Sequence, residues 1–483
     1  MAKQPPSRRG KSGNGRPHET IPALWPTETI SDGLATHALV LPDSVPVLSI
    51  RDSLYDAIPL GALEADLINT APFLRLQGIK QLGFVYRIWP GATHTRYEHS
   101  LGVYYLALRA LRQLLTRRDH AGVTLSDEER ALHAPQVLLA AALLHDIGHY
   151  PFSHAIEELG FPIASHEEVG TRIIESSEVA EVLIHHGITP RLVTSLITAK
   201  RGSQQPGVFH VLAQLLSGAL DVDKLDYLPR DARACNVPYG GVDVARLLGS
   251  LRVESGAGGQ NLAVSAKGIS PLNSLVHARQ EMFDNIYWHH TGRAMNVMLL
   301  RAIQEALTAE AIAPEDLVGH DDASLLAYLV GTQLPPATQD LVSRLARRRP
   351  HKVVVELSSR VGRLYQQIDA LYWDAAKRRR AEIALSEDLS DALGYDVPNW
   401  ALLIDIPKPE KWEMDVTVTY ADPPLGMKPV MSWVEATGQT SDDLRRYEVH
   451  QRRVRLVVSE ELRDEARTHR ETLLARLEQL AVL

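Results

Sequence analysis

The residues best suited to chemistry fall in three segments: Arg96-Tyr97-Glu98-His99-Ser100-Leu101-Gly102, Leu144-His145-Asp146-Ile147-Gly148-His149 and Asp221-Val222-Asp223-Lys224-Leu225-Asp226-Tyr227. His99, His145, Asp146 and Asp223 offer two imidazoles and two carboxylates. Such a donor set, free of thiolate, suits a borderline-to-hard divalent cation such as Fe, Mn, Zn, Ni or Mg, with open positions for water and substrate. The plainer reading of His145-Asp146 is a hydrogen-bonded core pair, and a His-Asp dipeptide alone is weak evidence. Context separates it from a second copy, His320-Asp321. The first follows Val137 to Leu144, an apolar run without a polar face, so imidazole and carboxylate arrive in a buried place where they cost free energy unless bound. The second lies in the polar stretch Gly319-His320-Asp321-Asp322 and reads as a solvated loop.

Positioning these segments calls for a large helical core, and the chain can supply one. Its 483 residues, 45% hydrophobic and 23% charged, are globular in composition and exclude a disordered or fibrous chain. A net charge of −8 argues against nucleic-acid binding by bulk charge, so an anionic ligand must be met by a local cluster. The single cysteine, Cys235, excludes an intrachain disulfide and a thiolate metal site, and fits a reducing, cytoplasmic setting as a small buried residue. The longest apolar run is far short of the ~20 residues of a membrane span. Residues 1–22 read as a disordered basic tail. Short strands are expected between Leu39 and Leu60 as a lead-in to a helical core ending near residue 300. A helical extension is expected over 301–397, with charges at Arg348 and Lys352 on helices. The last part, 398–483, should be a small α+β region. Its strands are marked by alternation at Ile404 and Ile406, at Val416, Val418 and Tyr420, and at Val454, Leu456 and Val458. A terminal helix should follow, capped by Ser459 and burying Leu473, Leu477 and Leu480.

The three segments, with Pro151-Phe152-Ser153-His154 after the second, resemble the HD-domain superfamily. The match is to its branch of deoxynucleoside triphosphate triphosphohydrolases, which includes bacterial dNTPases and the vertebrate SAM-and-HD-domain protein. The resemblance runs from about Ile50 to Asn296. It implies a mainly α fold, an HD-domain helical core with a helical extension and a small α+β C-terminal region. It also implies a metal-dependent hydrolase that cleaves a deoxynucleoside triphosphate into deoxynucleoside and inorganic triphosphate. By resemblance, His99, His145, Asp146 and Asp223 hold the metal, Fe or Mn first and Zn or Ni otherwise, with Mg on the triphosphate. His149, His154 and His166 surround the scissile phosphate, and His154 or His166 serves as general acid toward the sugar 5′-oxygen.

Arg96, Lys224 and Arg279 would neutralise the triphosphate. Gln81, Leu82, Tyr227 and Asp231, with Tyr287, resemble the family's deoxyribose pocket, which bonds the 3′-hydroxyl and excludes a 2′-hydroxyl. The family's Asp-Pro-x-His-Gly block is replaced by Asp52-Ser53-Leu54-Tyr55-Asp56, which keeps the aspartate alone. The resemblance further implies a homo-oligomer and leaves an activating nucleotide open as a partner. Two other readings use the same core: an HD phosphodiesterase or nucleotidase acting on another phosphoester, and a nucleotide-sensing protein with low turnover.

Overall fold

A helix that is apolar on every side must be surrounded, and Ala134–Leu144 is: it packs against the helices Arg96–Leu115, Pro190–Ile197 and Val208–Ser217, with all of its residues buried except Gln136. The computed structural model describes residues 41, 46–117, 121–199, 205–256, 259–331, 333–409 and 415–482. The expected basic tail and the Leu39-Val40 end of the lead-in lie outside these residues. The fold is mainly helical, with small sheets, and among the described residues no helix is long and apolar enough to cross a membrane.

The lead-in is an antiparallel hairpin, β1 (Leu48–Asp52) and β2 (Asp56–Leu60), closed at Asp52↔Asp56. Strands also occur where the sequence reads as continuous helix. A hairpin of β3 (Leu251–Gly256) and β4 (Gly259–Ser265) interrupts the core, and β5 (Lys352–Ser358) lies inside the helical extension. Lys352 is therefore a strand residue, paired with Glu460 at 3.2 Å, rather than a helix charge. The reason is local. Val353-Val354-Val355 is β-branched throughout, and Leu251 and Val253 alternate with polar residues, a period-two signal overridden when long windows are averaged.

The C-terminal strands are β6 (Leu402–Asp405), β7 (Thr417–Thr419), β8 (Val430–Ser432) and β9 (Arg453–Val458). They divide between two sheets, β5-β9-β6 and β3-β4-β7-β8, with β4 and β7 parallel. The terminal helix is broken. Ser459 precedes a single turn at Glu460–Leu462 without a side-chain cap bond, and the helices Arg463–Thr468 and Arg470–Val482 follow. Leu473, Leu477 and Ala481 are buried there, while Leu480 is only partly so.

Three apolar cores organise these elements within one compact unit, Leu41–Leu483. The first surrounds Ala134–Leu144 and recruits Val416, Val418 and Trp433 from the C-terminal region. The second joins Phe84, Phe152 and Ile156 to the helices His290–Thr308 and Pro336–Ala346. The third is built on β5-β9-β6. The polar chemistry lies where the first core meets the second.

A candidate metal centre and its flanking histidines

Each ligand-type residue is placed by a helix end. Thr95 and Glu98 form a capping box, Thr95 N donating to Glu98 Oε2 at 2.6 Å, which starts the Arg96–Leu115 helix and sets buried His99 in its first turn. Asp221 caps Val222–Cys235 by accepting Lys224 N at 2.9 Å, which puts Asp223 in that first turn. His145 and Asp146 leave the C-terminal end of the apolar helix into a tight loop. In that loop Gly148 is obligatory: a Cβ there would collide with the backbone of His166 and Gly170, so only glycine lets the His166–Ser176 helix approach.

The four residues converge. His99 Nε2 is 3.0 Å from Asp223 Oδ1 and 3.7 Å from Asp146 Oδ2, and His145 Nε2 is 3.3 Å from Asp146 Oδ1 and 4.0 Å from Asp223 Oδ1. His145 Nδ1 donates to Ala142 O at 2.9 Å, which turns its Nε2 lone pair inward, where that buried atom makes no hydrogen bond. Asp223, its side chain 35% exposed, forms the open side. Burial disfavours a charged His99, yet its hydrogen bonds to Asp223 and Asp226 and the charge of Asp146 raise it to about 10. A field that holds a proton so firmly favours any cation. The donor chemistry and the orphaned Nε2 both fit a divalent metal at the His99–His145–Asp146 group, with Asp223 3.0 Å from His99 as the expected fourth donor.

A second cluster adjoins the first. The rings of His149 and His166 are 3.9 Å apart, and His154 lies 4.8 Å from His149 and 5.3 Å from His166. Glu157 organises the outer two, accepting from His154 Nδ1 at 3.1 Å and His166 Nδ1 at 2.7 Å. Burial would push Glu157 up, but these two histidines hold it far below the usual carboxylate range. His166 is pulled down by burial and, more strongly, up by Glu157, so its pKa is raised. His149 is buried, its Nδ1 3.1 Å from Asp146 Oδ1 and its Nε2 without a hydrogen-bond partner, and burial followed by the charge of Arg96 lowers its pKa well below that of free imidazole.

The cations expected to meet the triphosphate are differently engaged. Arg96 is buried and donates from Nη1 to Asp146 Oδ2 at 2.5 Å and from Nε to Ser153 Oγ at 3.1 Å, so it orients the centre. Burial alone would raise Asp146, but the charge of Arg96 together with those of His145 and His149 keeps it well below the usual carboxylate range. Lys224 folds back onto its own helix cap, Asp221. Arg279 stands over the Phe283 ring, which in turn packs edge-on against Tyr287.

The expected sugar pocket is brought together around Asp231. Its oxygens accept from Tyr287 Oη at 2.7 Å and face His94 Nε2 at 2.7 Å. Gln81, whose backbone N donates to His94 O, has a buried Oε1 with no partner. Tyr227 lies edge-on between His99 and Tyr287, with ring centroids 6.4 and 6.5 Å away, and Leu82 packs on the same core. Four further residues join these clusters without having been given a role from the sequence: His94 and Glu157, which lay outside the motifs, and Ser153 and Asp226, which lay inside the Pro-Phe-Ser-His block and the third segment.

Residues 96–231 match the HD domain and residues 242–474 the HD associated region. An uncharacterized protein of Methanocaldococcus jannaschii is 31% identical over 309 residues, 64% of this chain and 60% of its own. The deoxynucleoside triphosphate triphosphohydrolase SAMHD1 of Gallus gallus is 28% identical over 284 residues, 53% of this chain and 45% of its own. The chain thus spans between 45% and 60% of the length of these curated relatives. A crystal structure of a hypothetical protein from Aquifex aeolicus shares the fold at a TM-score of 0.65 and 23% identity, covering 87% of this chain and 99% of that one.

Proposed function

We propose that this chain, in which residues 96–231 match the HD domain and residues 242–474 the HD associated region, is a metal-dependent dNTP triphosphohydrolase. It would release deoxynucleoside and inorganic triphosphate. One observation carries this reading: beside the His99–Asp146–Asp223 group, His145 Nε2 and His149 Nε2 are buried without hydrogen-bond partners, and Gln81 Oε1 is a further buried atom of that kind. Buried polar atoms left unpaired cost about 1–3 kcal/mol each, so such a set calls for a charged, hydroxyl-bearing ligand.

A divalent metal held by His99, His145, Asp146 and Asp223 would supply Lewis-acid charge and activate water beside the α-phosphorus. Arg96 keeps Asp146 ionised and oriented. His149 faces the phosphate as a neutral ring. The Glu157-linked pair of His154 and His166 carries the proton for the departing 5′-oxygen. Gln81 Oε1 accepts from the 3′-hydroxyl. Asp231, with both oxygens already engaged, fixes Tyr287 rather than reaching the sugar alone.

Incubating metal-loaded protein with each dNTP and separating the products tests the reading, because only this reaction yields tripolyphosphate. Nucleoside diphosphate or free orthophosphate as the first product would favour a hydrolase of another phosphoester. Tyr227 should exclude ribonucleotides: a misplaced 2′-hydroxyl costs ~1–3 kcal/mol, roughly tenfold to a hundredfold in rate. Tyr227→Ala should narrow the dATP to ATP ratio, and equal hydrolysis of the two by the unaltered protein would sink the assignment.

A further inference from the structure

Asp226 is completely buried and has both oxygens doubly engaged. Oδ2 accepts from His99 Nδ1 and from Arg230 Nε, each at 2.8 Å, while Oδ1 accepts from Tyr55 Oη at 2.8 Å and Arg230 Nη2 at 2.9 Å. Arg230 is locked in turn by Asp52, Nη1 to Oδ2 at 2.8 Å. Asp52 Oδ1 accepts the backbone N–H groups of Leu54 and Tyr55 at 2.8 and 3.0 Å, closing the tip of the β1–β2 hairpin. Gly102, one turn beyond His99, makes the packing possible: a Cβ there would overlap Asp226 Oδ1 and Arg230 Nη2. The chain of contacts thus runs from a hairpin outside residues 96–231 to the far nitrogen of an expected metal ligand.

An imidazole that donates from Nδ1 presents its lone pair at Nε2, and a carboxylate behind it raises its basicity as a ligand. We propose that Asp226, clamped by Tyr55, Arg230 and Asp52, is a positioning residue that fixes the Nδ1–H form of His99 and thereby sets metal affinity, which makes the β1–β2 hairpin part of the metal centre. This rests on the metal reading above. It also accounts for the Asp52-Ser53-Leu54-Tyr55-Asp56 block, in which Tyr55 supplies a hydroxyl to Asp226 and Asp52 holds the arginine.

The test is calorimetric titration of the metal-stripped full chain with Mn²⁺, comparing the unaltered protein, Asp226→Asn and Tyr55→Phe. Asp226→Asn, which places an amide against Arg230, should weaken binding about 10–100-fold. Tyr55→Phe, lacking one hydrogen bond, should weaken it about fivefold. The rise in unfolding temperature caused by Mn²⁺ should shrink in the same order. A purely structural ion pair would lower the unfolding temperature of the stripped protein and leave both metal readouts unchanged. Unchanged Mn²⁺ affinity in folded Asp226→Asn overturns the proposal. If circular dichroism shows that variant unfolded, unchanged affinity in Tyr55→Phe overturns it instead. Failure of the unaltered protein to bind Mn²⁺ would refute the metal reading itself, a separable result.

Discussion

Asp146 is where the most side chains meet: Arg96, His99, His145 and His149 all lie within 4 Å of its oxygens. Asp146→Ala should therefore abolish both metal content and turnover, whereas Asp321→Ala, which removes only a helix cap accepting Ser324 N at 2.7 Å, should change neither. Metal analysis of the two purified variants decides it, and a full metal complement in Asp146→Ala would refute the assignment. Proton transfer is tested at Glu157. Because Glu157 raises the pKa of His166, the protonated form persists above the ordinary imidazole range of about 6.5 and is lost as pH rises through the raised value. Turnover should fall on that alkaline side, and Glu157→Gln should move the fall to lower pH. A kcat–pH profile identical in the two proteins would exclude the role. These residues differ in how legible they are. His99, His145, Asp146 and Asp223 could be singled out because donor types recur beside helix boundaries. His94 and Tyr55 could not, because their roles depend on partners that chain folding alone brings near, as with Tyr55 and Asp226, 171 positions apart, whereas Glu157 stands only three and nine positions from His154 and His166.

Helix ends and one strained turn deliver these side chains. Phe152 and Ser153 both adopt left-handed backbone conformations, φ 58° and 61°, which cost about 1–3 kcal/mol per non-glycine residue. Among the contacts that hold them, Phe152 N donates to Asp322 Oδ1 at 2.7 Å, Ser153 Oγ lies 2.9 Å from Lys80 O, and the Phe152 ring stacks on Phe84 at 4.2 Å. Asp322, read with its polar neighbours as part of a break, is buried and also accepts Lys80 N at 3.1 Å. Releasing this turn would loosen His154 and leave the metal ligands in place. Asp322→Ala should lower kcat about tenfold, the equivalent of ~1.4 kcal/mol, with metal content unchanged. Unaltered kcat would show that the turn holds itself. The Pro-Phe-Ser-His block is visible in the sequence, but its backbone is not, since neither Phe nor Ser announces a left-handed conformation as glycine would.

Taken whole, the molecule does not divide where its sequence periodicity changes. The expected helical core and α+β end are interleaved: β7 pairs with β4, and Trp433, completely buried, donates from Nε1 to Asn273 Oδ1 at 3.0 Å. Alternation revealed the three expected strands. It could not reveal which sheet each would join, because pairing partners are chosen by tertiary burial. Trp433→Ala should cost about 3–5 kcal/mol, measured by denaturant unfolding, and destabilise the metal-bearing core rather than a peripheral unit. A loss within the usual surface range of about 0.5 kcal/mol would mean that the C-terminal segment is dispensable there. Arg75 makes the same point at the loop that follows Asp146. Its guanidinium donates to the carbonyls of Ile147, His149 and His320 at 2.8, 3.0 and 2.9 Å, tying the ligand loop to the turn that leads into Asp322. Separate opening of either segment would leave that half-buried cation without its carbonyl partners, so the two should exchange their amide hydrogens as one cooperative unit, with matching protection.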